Sequence, residues 1–275
     1  MSLHHHYKRT SIVYFILSGM LFILSLILLL LFFIIDVPPE GNVEFIIWSV
    51  YSFVGSIAFL IIAIIKKKRS KTNYKVPILS KDEKDLFKAN RLMLVSHVHW
   101  LREYDYYALN GKSVARIRED VEGWKKIQTF ILHLIGLRAY LKKTLVVENG
   151  EKVLFYLEKK RGLHQHYYIY NEENLLISSF KMNVFNPMKQ YATIYDHNGN
   201  IIGKNDGGFS GIQFKIVNNE NVPLIELKYQ GVPLEAMELF SGTNGDIVDI
   251  NREAISDTDL IKYIIAPVIV KLHFR

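Results

Sequence analysis

The 275-residue chain contains no cysteine, which excludes disulfides, thiolate metal ligands and a cysteine nucleophile. Charge is absent from residues 11–35 and 45–65. A broad positive surface is also missing from the later part of the chain. Residues 1–75 hold eight of the 34 basic and three of the 27 acidic side chains, which leaves 26 and 24 for residues 76–275. This near-balance offers no electrostatic footprint for a phosphate backbone, so nucleic acid is not an expected partner.

The two uncharged stretches predict membrane-spanning helices over residues 11–35 and 45–65. A helix rises about 1.5 Å per residue, so each stretch can cross a hydrocarbon core of about 30 Å. A cleaved signal peptide would have a shorter apolar region and a small-x-small cleavage site, which the first stretch lacks. Residues 1–75 are therefore predicted to be a two-span anchor. Its helices are neighbours with small residues that permit close approach, including Ser18, Ser25, Ser49 and Ser56.

Basic residues at the outer flanks predict the orientation of these spans. Lys8 and Arg9 precede the first span, and a basic cluster follows the second, consisting of Lys66, Lys67, Lys68, Arg69 and Lys71. The loop between the spans has three acidic residues and no basic one, so both termini are predicted to be cytoplasmic in a multi-pass protein of the cell membrane. The basic cluster is predicted to stop translocation and also to attract anionic phospholipid. Each base near the surface contributes about 1 kcal/mol of binding free energy.

Residues 76–275 are predicted to form a closed antiparallel β-barrel of about twelve strands, an α+β domain with two helices. Six hairpin signals support this, with turns at Asn110-Gly111, Asn149-Gly150, 171–174, Asn198-Gly199, 218–221 and Asn244-Gly245. Closure into a barrel removes the exposed edges that so many short strands would leave. The stretch 91–103 is ambiguous between helix and strand, with strand favoured. Ser80 and Glu83 form a capping-box pattern before a short helix.

Two longer helices are predicted within this domain. Residues 122–143 form an amphipathic helix with Trp124, Ile127 and Ile131 on one face and lysines at its flanks. This helix either packs across the barrel or lies on the membrane interface. Residues 257–273 form a C-terminal helix, capped by Ser256, that is too short to span a bilayer and apolar all round. It is predicted to fill the interior of the barrel.

The hairpin pattern resembles the tubby C-terminal-like superfamily, which includes LURP-one-related proteins and phospholipid scramblases. The similar segments are YDYYALNGKSVARI, YATIYDHNGNIIG, FKIVNNENVPLIEL and DLIKYIIAPVIVKL, and the resemblance covers roughly residues 90–275. It implies a closed twelve-stranded barrel around a central hydrophobic helix, no enzymatic activity, and association with phosphoinositides, lipid movement or signalling. The chain departs from the family in three ways. It lacks the Cys-rich palmitoylated segment of scramblases. Two membrane spans anchor it, whereas lipid head groups anchor tubby proteins to the membrane. It also has Pro267 inside the central helix.

Several weaker patterns do not predict a chemical site. His97-x-His99 and His164-x-His166 could each chelate a metal on a strand, but no third ligand has suitable spacing. Residues 196–200 begin like a calcium loop, although Ile201 stands where the sharp turn needs glycine, so a turn is predicted. GKNDGG (residues 203–208) lacks the strand-to-helix context of a phosphate cradle and is predicted to be a loop. No catalytic, cofactor or metal site is predicted.

The function predicted from these features is a non-catalytic, membrane-anchored module that binds or senses lipid or a protein partner at the cytoplasmic face. The alternative is lipid transport of the scramblase type, in which the two spans form part of a lipid path. A third reading is an enzyme that uses His97 and His99. The expected partners are the membrane, anionic phospholipid or a membrane-proximal protein.

Overall fold

The computed structural model describes residues 2–34, 39–98, 101–134, 141–162, 165–183, 191–207 and 213–274. The chain divides into two compact units, Ser2–Asn73 and Tyr74–Arg275. The first unit is a pair of helices. The second contains a β-barrel with short helices between and after its strands.

The first unit consists of α1 (Leu3–Ile34) and α2 (Pro39–Arg69), which pack along each other. Proline is well tolerated at the first position of a helix, where its missing N–H would have no partner anyway. Both helices are long and apolar enough to cross a membrane.

Serines line the contact between α1 and α2. Ser18 Oγ donates to Ser56 O (2.9 Å), and Ser56 Oγ donates in return to Ser18 O (3.0 Å). Ser49 Oγ donates to Ser25 O (2.9 Å), and the two Oγ atoms of this pair lie 3.1 Å apart. Because all four side chains are buried, the predicted close approach of the helices at these small residues is confirmed.

The second unit contains twelve antiparallel strands in a closed ring. They are β1 (Arg91–Ser96), β2 (Glu103–Tyr107), β3 (Ser113–Glu119), β4 (Lys143–Asn149), β5 (Lys152–Lys159), β6 (His166–Tyr170), β7 (Leu176–Asn183), β8 (Tyr191–Asp196), β9 (Ile201–Gly207), β10 (Gln213–Val217), β11 (Pro223–Lys228) and β12 (Asp246–Ile250). Each strand pairs with its neighbours in sequence, and β1 pairs with β12 to close the ring. The predicted closed twelve-stranded barrel is confirmed.

Five of the six predicted hairpins are present, and they connect β2–β3, β4–β5, β6–β7, β8–β9 and β10–β11. In three of them one side chain organises the turn. In the β8–β9 turn, Asp196 Oδ1 accepts the backbone N–H groups of Asn198 (2.9 Å) and Asn200 (2.8 Å). Asn171 and Asn218 make the same pair of bonds in the β6–β7 and β10–β11 turns. The stretch that begins like a calcium loop is therefore a turn, as predicted.

The sixth predicted hairpin is wrong. The segment before Asn244-Gly245 contains a 3-10 turn (Leu234–Ala236) and α4 (Met237–Phe240) instead of a strand. The five hairpins and β12 supply eleven strands. The strand that completes the ring of twelve is β1, which lies in the ambiguous stretch 91–103. Gly245 lets the chain enter β12 close beside β1, because a Cβ at this position would lie 2.9 Å from Met93 Cε.

The prediction of a loop at GKNDGG is also wrong as far as Gly207, because residues 203–207 belong to β9. Gly208 lies outside the described residues. Glycines are frequent in loops, but Gly203 permits the close approach of two strands. A Cβ at Gly203 would lie 2.6 Å from Val217 O in the neighbouring β10.

The predicted capping box is present before β1. Ser80 N donates to Glu83 Oε2 (2.8 Å), and Glu83 N donates to Ser80 Oγ (3.3 Å). These bonds begin a single 3-10 turn, Asp82–Lys84.

Residues of the predicted amphipathic segment 122–143 form α3 (Lys125–Leu134) between β3 and β4. Residues 135–140 lie outside the described residues, and Lys143 is the first residue of β4.

The C-terminal segment forms two short helices, α5 (Asp257–Leu260) and α6 (Ala266–Phe274), on either side of the turn 261–265. Ser256 caps α5 by accepting the N–H of Asp259 at its Oγ (3.1 Å). Pro267 is the second residue of α6, within the first turn, where proline leaves few hydrogen bonds unmade.

Hydrogen bonds join this C-terminal segment to strands in different parts of the ring. Tyr106 Oη of β2 donates to Ile264 O (2.6 Å), and Ser178 Oγ of β7 donates to Lys262 O (3.2 Å). Tyr263 Oη donates to Ile202 O of β9 (3.1 Å). The apolar side chains of the segment are fully buried at Leu260, Ile264, Ile265, Val268 and Ile269.

Candidate functional site

The basic cluster lies at the C-terminal end of α2. Its first four residues form the last turn of the helix, and Lys71 lies two residues beyond the end of the helix, after Ser70. Cationic side chains are favourable at this end because the helix dipole is negative there.

Aromatic residues of α1 hold part of this cluster. Lys66 Nζ lies 5.7 Å from the ring centroid of Tyr7, and the Arg69 guanidinium carbon lies 6.0 Å from the same centroid. Lys67 Nζ lies 5.6 Å from the ring centroid of Phe15. These are cation–π distances.

Three positions of the basic cluster present charge to the surroundings. Lys67, Lys68 and Lys71 are exposed, whereas Lys66 and Arg69 are partly covered. Lysine ammonium groups bind phosphate as compact point charges on flexible stems. The arrangement therefore suits loose contact with several anionic groups better than a shaped pocket for one ligand.

The second polar assembly surrounds Asp105 in the barrel. His97 Nε2 lies 2.6 Å from Asp105 Oδ2, to which Tyr107 Oη also donates (3.0 Å). Ser113 Oγ donates to Asp105 Oδ1 (3.2 Å). The side chains of His97 and Asp105 are only 1% and 0% exposed.

This Asp105 network is an enclosed structural assembly. Tyr106 bonds to the C-terminal segment, so Asp105 and Tyr107, on either side of it in β2, point to the opposite face of the sheet. There Tyr107 packs near Phe240 of α4, with ring centroids 6.4 Å apart. Burial and the charge of Asp105 raise the pKa of Tyr107, so its hydroxyl stays protonated and donates. The described residues therefore enclose the His97–Asp105 pair.

The predicted histidine pairs do not assemble a metal site in the described part of the chain. His99 and His164 lie outside the described residues, and His166 belongs to β6. Among the described residues, no group of three or more His, Cys, Asp or Glu side chains could hold a metal ion.

A third candidate is a cleft of about 240 Å³ beside the start of β1, lined in part by Asn90, Arg91, Glu235 and Asp249. Arg91 Nη1 donates to Glu235 Oε1 (2.7 Å), and its Nε bonds to Asp249 Oδ1. Lys228 Nζ donates to Asp249 Oδ2 (2.7 Å). Both cations are neutralised by carboxylates, so the cleft suits an anion less well than the basic cluster does.

Sequence reasoning found the basic cluster and missed the Asp105 network. The basic cluster is contiguous in the chain. The network depends on the register of β1 and β2, which places Val95 opposite Asp105 and His97 at the next position on the same face. The stretch EYDYY at residues 103–107 carried a usable signal, because acidic residues that alternate with strand aromatics need partners where they are buried.

Fold and surface together define the class: a closed twelve-stranded antiparallel β-barrel protein with two apolar helices that could span a membrane. No protein-family model matches the chain, and no curated protein or solved structure matches it either. The resemblance to the tubby C-terminal-like superfamily therefore stays a prediction.

Proposed function

We propose that this chain is a non-catalytic, membrane-anchored binding module. In this proposal α1 and α2 cross the cell membrane with both termini in the cytoplasm. The barrel recognises lipid or a protein partner beside the membrane, and the basic cluster contacts anionic phospholipid.

The observation that carries the proposal is the distribution of side chains on α1 and α2. Large apolar residues point away from the helix pair, and Phe33, Met20 and Trp48 are more than half exposed, while the hydroxyls of four serines point inward. Such a pair is poorly solvated by water and well solvated by lipid, where backbone groups must be satisfied within the helix.

The proposed mode of binding uses the outside of the barrel. The C-terminal segment bonds to β2, β7 and β9, which are spread around the ring, and its apolar side chains are buried. These contacts support a C-terminal segment that fills the interior. A filled interior leaves the outer surface and the ends of the barrel for recognition.

A test uses the full chain in vesicles that contain a photoactivatable anionic phospholipid. We expect the protein to resist carbonate extraction and to form cross-links within residues 66–71. The triple change Lys67→Gln, Lys68→Gln and Lys71→Gln should reduce these cross-links several-fold, since each base contributes about 1 kcal/mol near an anionic surface.

The matched control changes three exposed lysines of the barrel unit, Lys81→Gln, Lys84→Gln and Lys112→Gln. Cross-linking at residues 66–71 should be unchanged in this control. If carbonate extracted the protein from the vesicles, the proposed membrane anchor would be wrong. If a zwitterionic probe cross-linked equally well, the proposed contact between the basic cluster and anionic phospholipid would be wrong.

The second candidate function is phospholipid scrambling. It is favoured by the four serine hydroxyls buried along the α1–α2 contact, which place polar groups at the centre of the apolar helices. Because these hydroxyls bond to one another and to backbone carbonyls, we rank scrambling second. Vesicles with dye-labelled lipid decide the ranking, since lipid exchange above a protein-free control would put scrambling first.

A further inference from the structure

The two ends of the barrel are built differently. All five hairpin turns follow even-numbered strands, so they lie at one end of the antiparallel ring, here called the turn end. The connections β1–β2, β3–β4 and β5–β6 lie at the opposite end, here called the long-connection end. They belong to consecutive strands and therefore form one sector of that end.

The connections that the structure describes carry net charges of opposite sign at the two ends. The described residues of these three connections hold six basic side chains against Asp120 and Glu122, and the six are Arg102, Lys125, Lys126, Lys142, Lys160 and Arg161. The five hairpin turns hold Glu151, Glu172, Glu173 and Glu220 against Lys112. The β11–β12 connection carries Glu235 and Glu238, so among the described residues of this end the basic side chains lie in the sector from β1 to β6.

The same sector exposes apolar side chains. Trp124 immediately precedes α3, and with Ile127 and Ile131 it follows the spacing of one helical face. If this face packed on the barrel, its side chains would be buried. Instead Trp124 is 77% exposed and Ile131 is 51% exposed, while Ile127 between them is partly exposed. Val98 in the adjacent β1–β2 connection is 42% exposed.

We propose that α3 and the basic side chains of this sector form a surface that lies on an anionic lipid bilayer. Trp124 and Ile131 enter the boundary between headgroups and acyl chains. Lys125, Lys126 and Lys160 face the anionic headgroups. This proposal rests on the proposed function, because α1 and α2 keep the barrel near a membrane.

The occupant is a bilayer because of the chemistry that the sector combines. Interfacial helices pair an apolar face with flanking Lys and Arg, and tryptophan is enriched at the headgroup level. Lys125 and Lys126 are exposed and immediately follow Trp124, so their ammonium groups can reach phosphates while the ring inserts. A tether also raises the effective concentration of the surface, so a weak contact becomes populated.

The experiment measures tryptophan fluorescence of the full chain in vesicles. The changes Trp48→Phe and Trp100→Phe leave Trp124 as the only tryptophan. The matched control also carries Trp124→Phe and Leu175→Trp, which moves the probe to an exposed apolar position in the β6–β7 turn at the turn end (Leu175 is 59% exposed). Brominated lipids act as quenchers, in anionic and in zwitterionic vesicles.

We expect blue-shifted emission and quenching of Trp124 in anionic vesicles, with much weaker quenching in zwitterionic vesicles and in the Leu175→Trp control. The pair Lys125→Glu and Lys126→Glu should lower the contact equilibrium constant by about fivefold or more for each lysine. The pair Lys112→Glu and Lys152→Glu, which reverses the same number of charges at the turn end, should leave it unchanged.

Failure of this surface and failure of the anchor give different results. A carbonate-resistant protein whose Trp124 is quenched no more than the Leu175→Trp control keeps the anchor and overturns the proposed surface. Quenching of Trp124 in a protein that carbonate extracts keeps the surface and overturns the anchor. A blue shift that depends on protein concentration and not on anionic lipid assigns the face to a second copy of the chain, which also overturns the proposal.

Discussion

At the scale of single residues, we expect the largest change in the free energy of unfolding from substitutions in the buried ion pair of Lys271 and Asp246. Lys271 Nζ of α6 lies 2.6 Å from Asp246 Oδ2 at the start of β12, and the side chains are 4% and 1% exposed. Asp246 Oδ1 accepts the backbone N–H of Gln230 (2.9 Å). A pair of this kind adds little net stability, but the removal of one partner leaves an uncompensated buried charge.

We therefore predict that Lys271→Met lowers the free energy of unfolding by about 3–5 kcal/mol. The double change Lys271→Met with Asp246→Asn should recover most of this loss, because no buried charge remains and the amide oxygen can still accept from Gln230. Denaturant unfolding of both variants in detergent measures the difference. Equal losses in the single and double variants would contradict a charge-based explanation.

Asp249 supplies a second residue-scale prediction, on the dependence of stability on pH. Burial of this carboxyl favours its neutral form, but hydrogen bonds from Arg91 and Lys228 and their charges outweigh burial and lower its pKa. The unfolded chain therefore takes up a proton at higher pH than the folded chain does. The stability from Asp249 is complete above the pKa of an unfolded aspartate, about 3.9, and is lost as the pH falls through the lower folded value.

Asp249→Asn should accordingly destabilise the barrel at neutral pH, and the gap between the variant and the original chain should narrow as the pH falls below about 4. Protonation makes the aspartic acid resemble asparagine, and this resemblance is the cause of the convergence. Thermal unfolding midpoints of both proteins between pH 7 and pH 3 test it. A gap that stays constant over this range would show that the effect of Asp249 is not electrostatic.

At the scale of elements, local chemistry decides which parts of the fold could be predicted. Turns built from Asn-Gly, or from one Asx side chain that bonds two N–H groups, are encoded within five residues, and five hairpins were predicted correctly for this reason. Asn244-Gly245 carries the same local signal, with φ of +53° at Asn244. There the preceding segment forms α4, whose Leu239 and Phe240 are buried by residues distant in sequence.

The candidate sites divide in the same way. The basic cluster is contiguous and was predicted, whereas the Asp105 network and the Lys271–Asp246 pair need strand register and tertiary contacts that periodicity does not supply. The exposure of Trp124 belongs to this second group. The sequence predicted an amphipathic segment but left open what its apolar face contacts.

The α1–α2 contact allows an element-scale prediction that the cysteine-free chain makes simple. Ser25 Oγ and Ser49 Oγ lie 3.1 Å apart, close enough for a short bridge after small adjustments. We predict that the double variant Ser25→Cys with Ser49→Cys forms an intramolecular disulfide under mild oxidation, visible as a mobility shift that reductant reverses.

The matched control for this prediction is Ser18→Cys with Ser49→Cys. Ser18 and Ser25 are separated by seven residues, or roughly 10 Å along the helix axis, so the control pair should not cross-link within one molecule. Equal cross-linking of both pairs would mean that the two helices slide along each other, against the serine register.

At the scale of the whole molecule, the barrel and its C-terminal segment depend on each other. The ring closes through β1 and β12, which are the first and last strands, so no part of the sheet is complete before the whole domain has been formed. Leu260, Ile264, Ile265, Val268 and Ile269 have no exposed surface. Each such side chain contributes roughly 1.5–3 kcal/mol through burial, and a typical domain has a net stability of only about 5–15 kcal/mol.

We therefore predict that removal of residues 256–275 abolishes cooperative unfolding of the barrel, because the lost burial of these five side chains alone is comparable with the whole net stability. Near-ultraviolet circular dichroism and limited proteolysis of the truncated chain provide the measurement. Addition of the 256–275 segment as a separate peptide should restore protection in part, since the contacts of Tyr106, Ser178 and Ile202 with the segment do not require covalent connection. If the truncated chain unfolds with an unchanged midpoint, the sheet is stable with its interior empty, and the C-terminal segment is then free to serve another role.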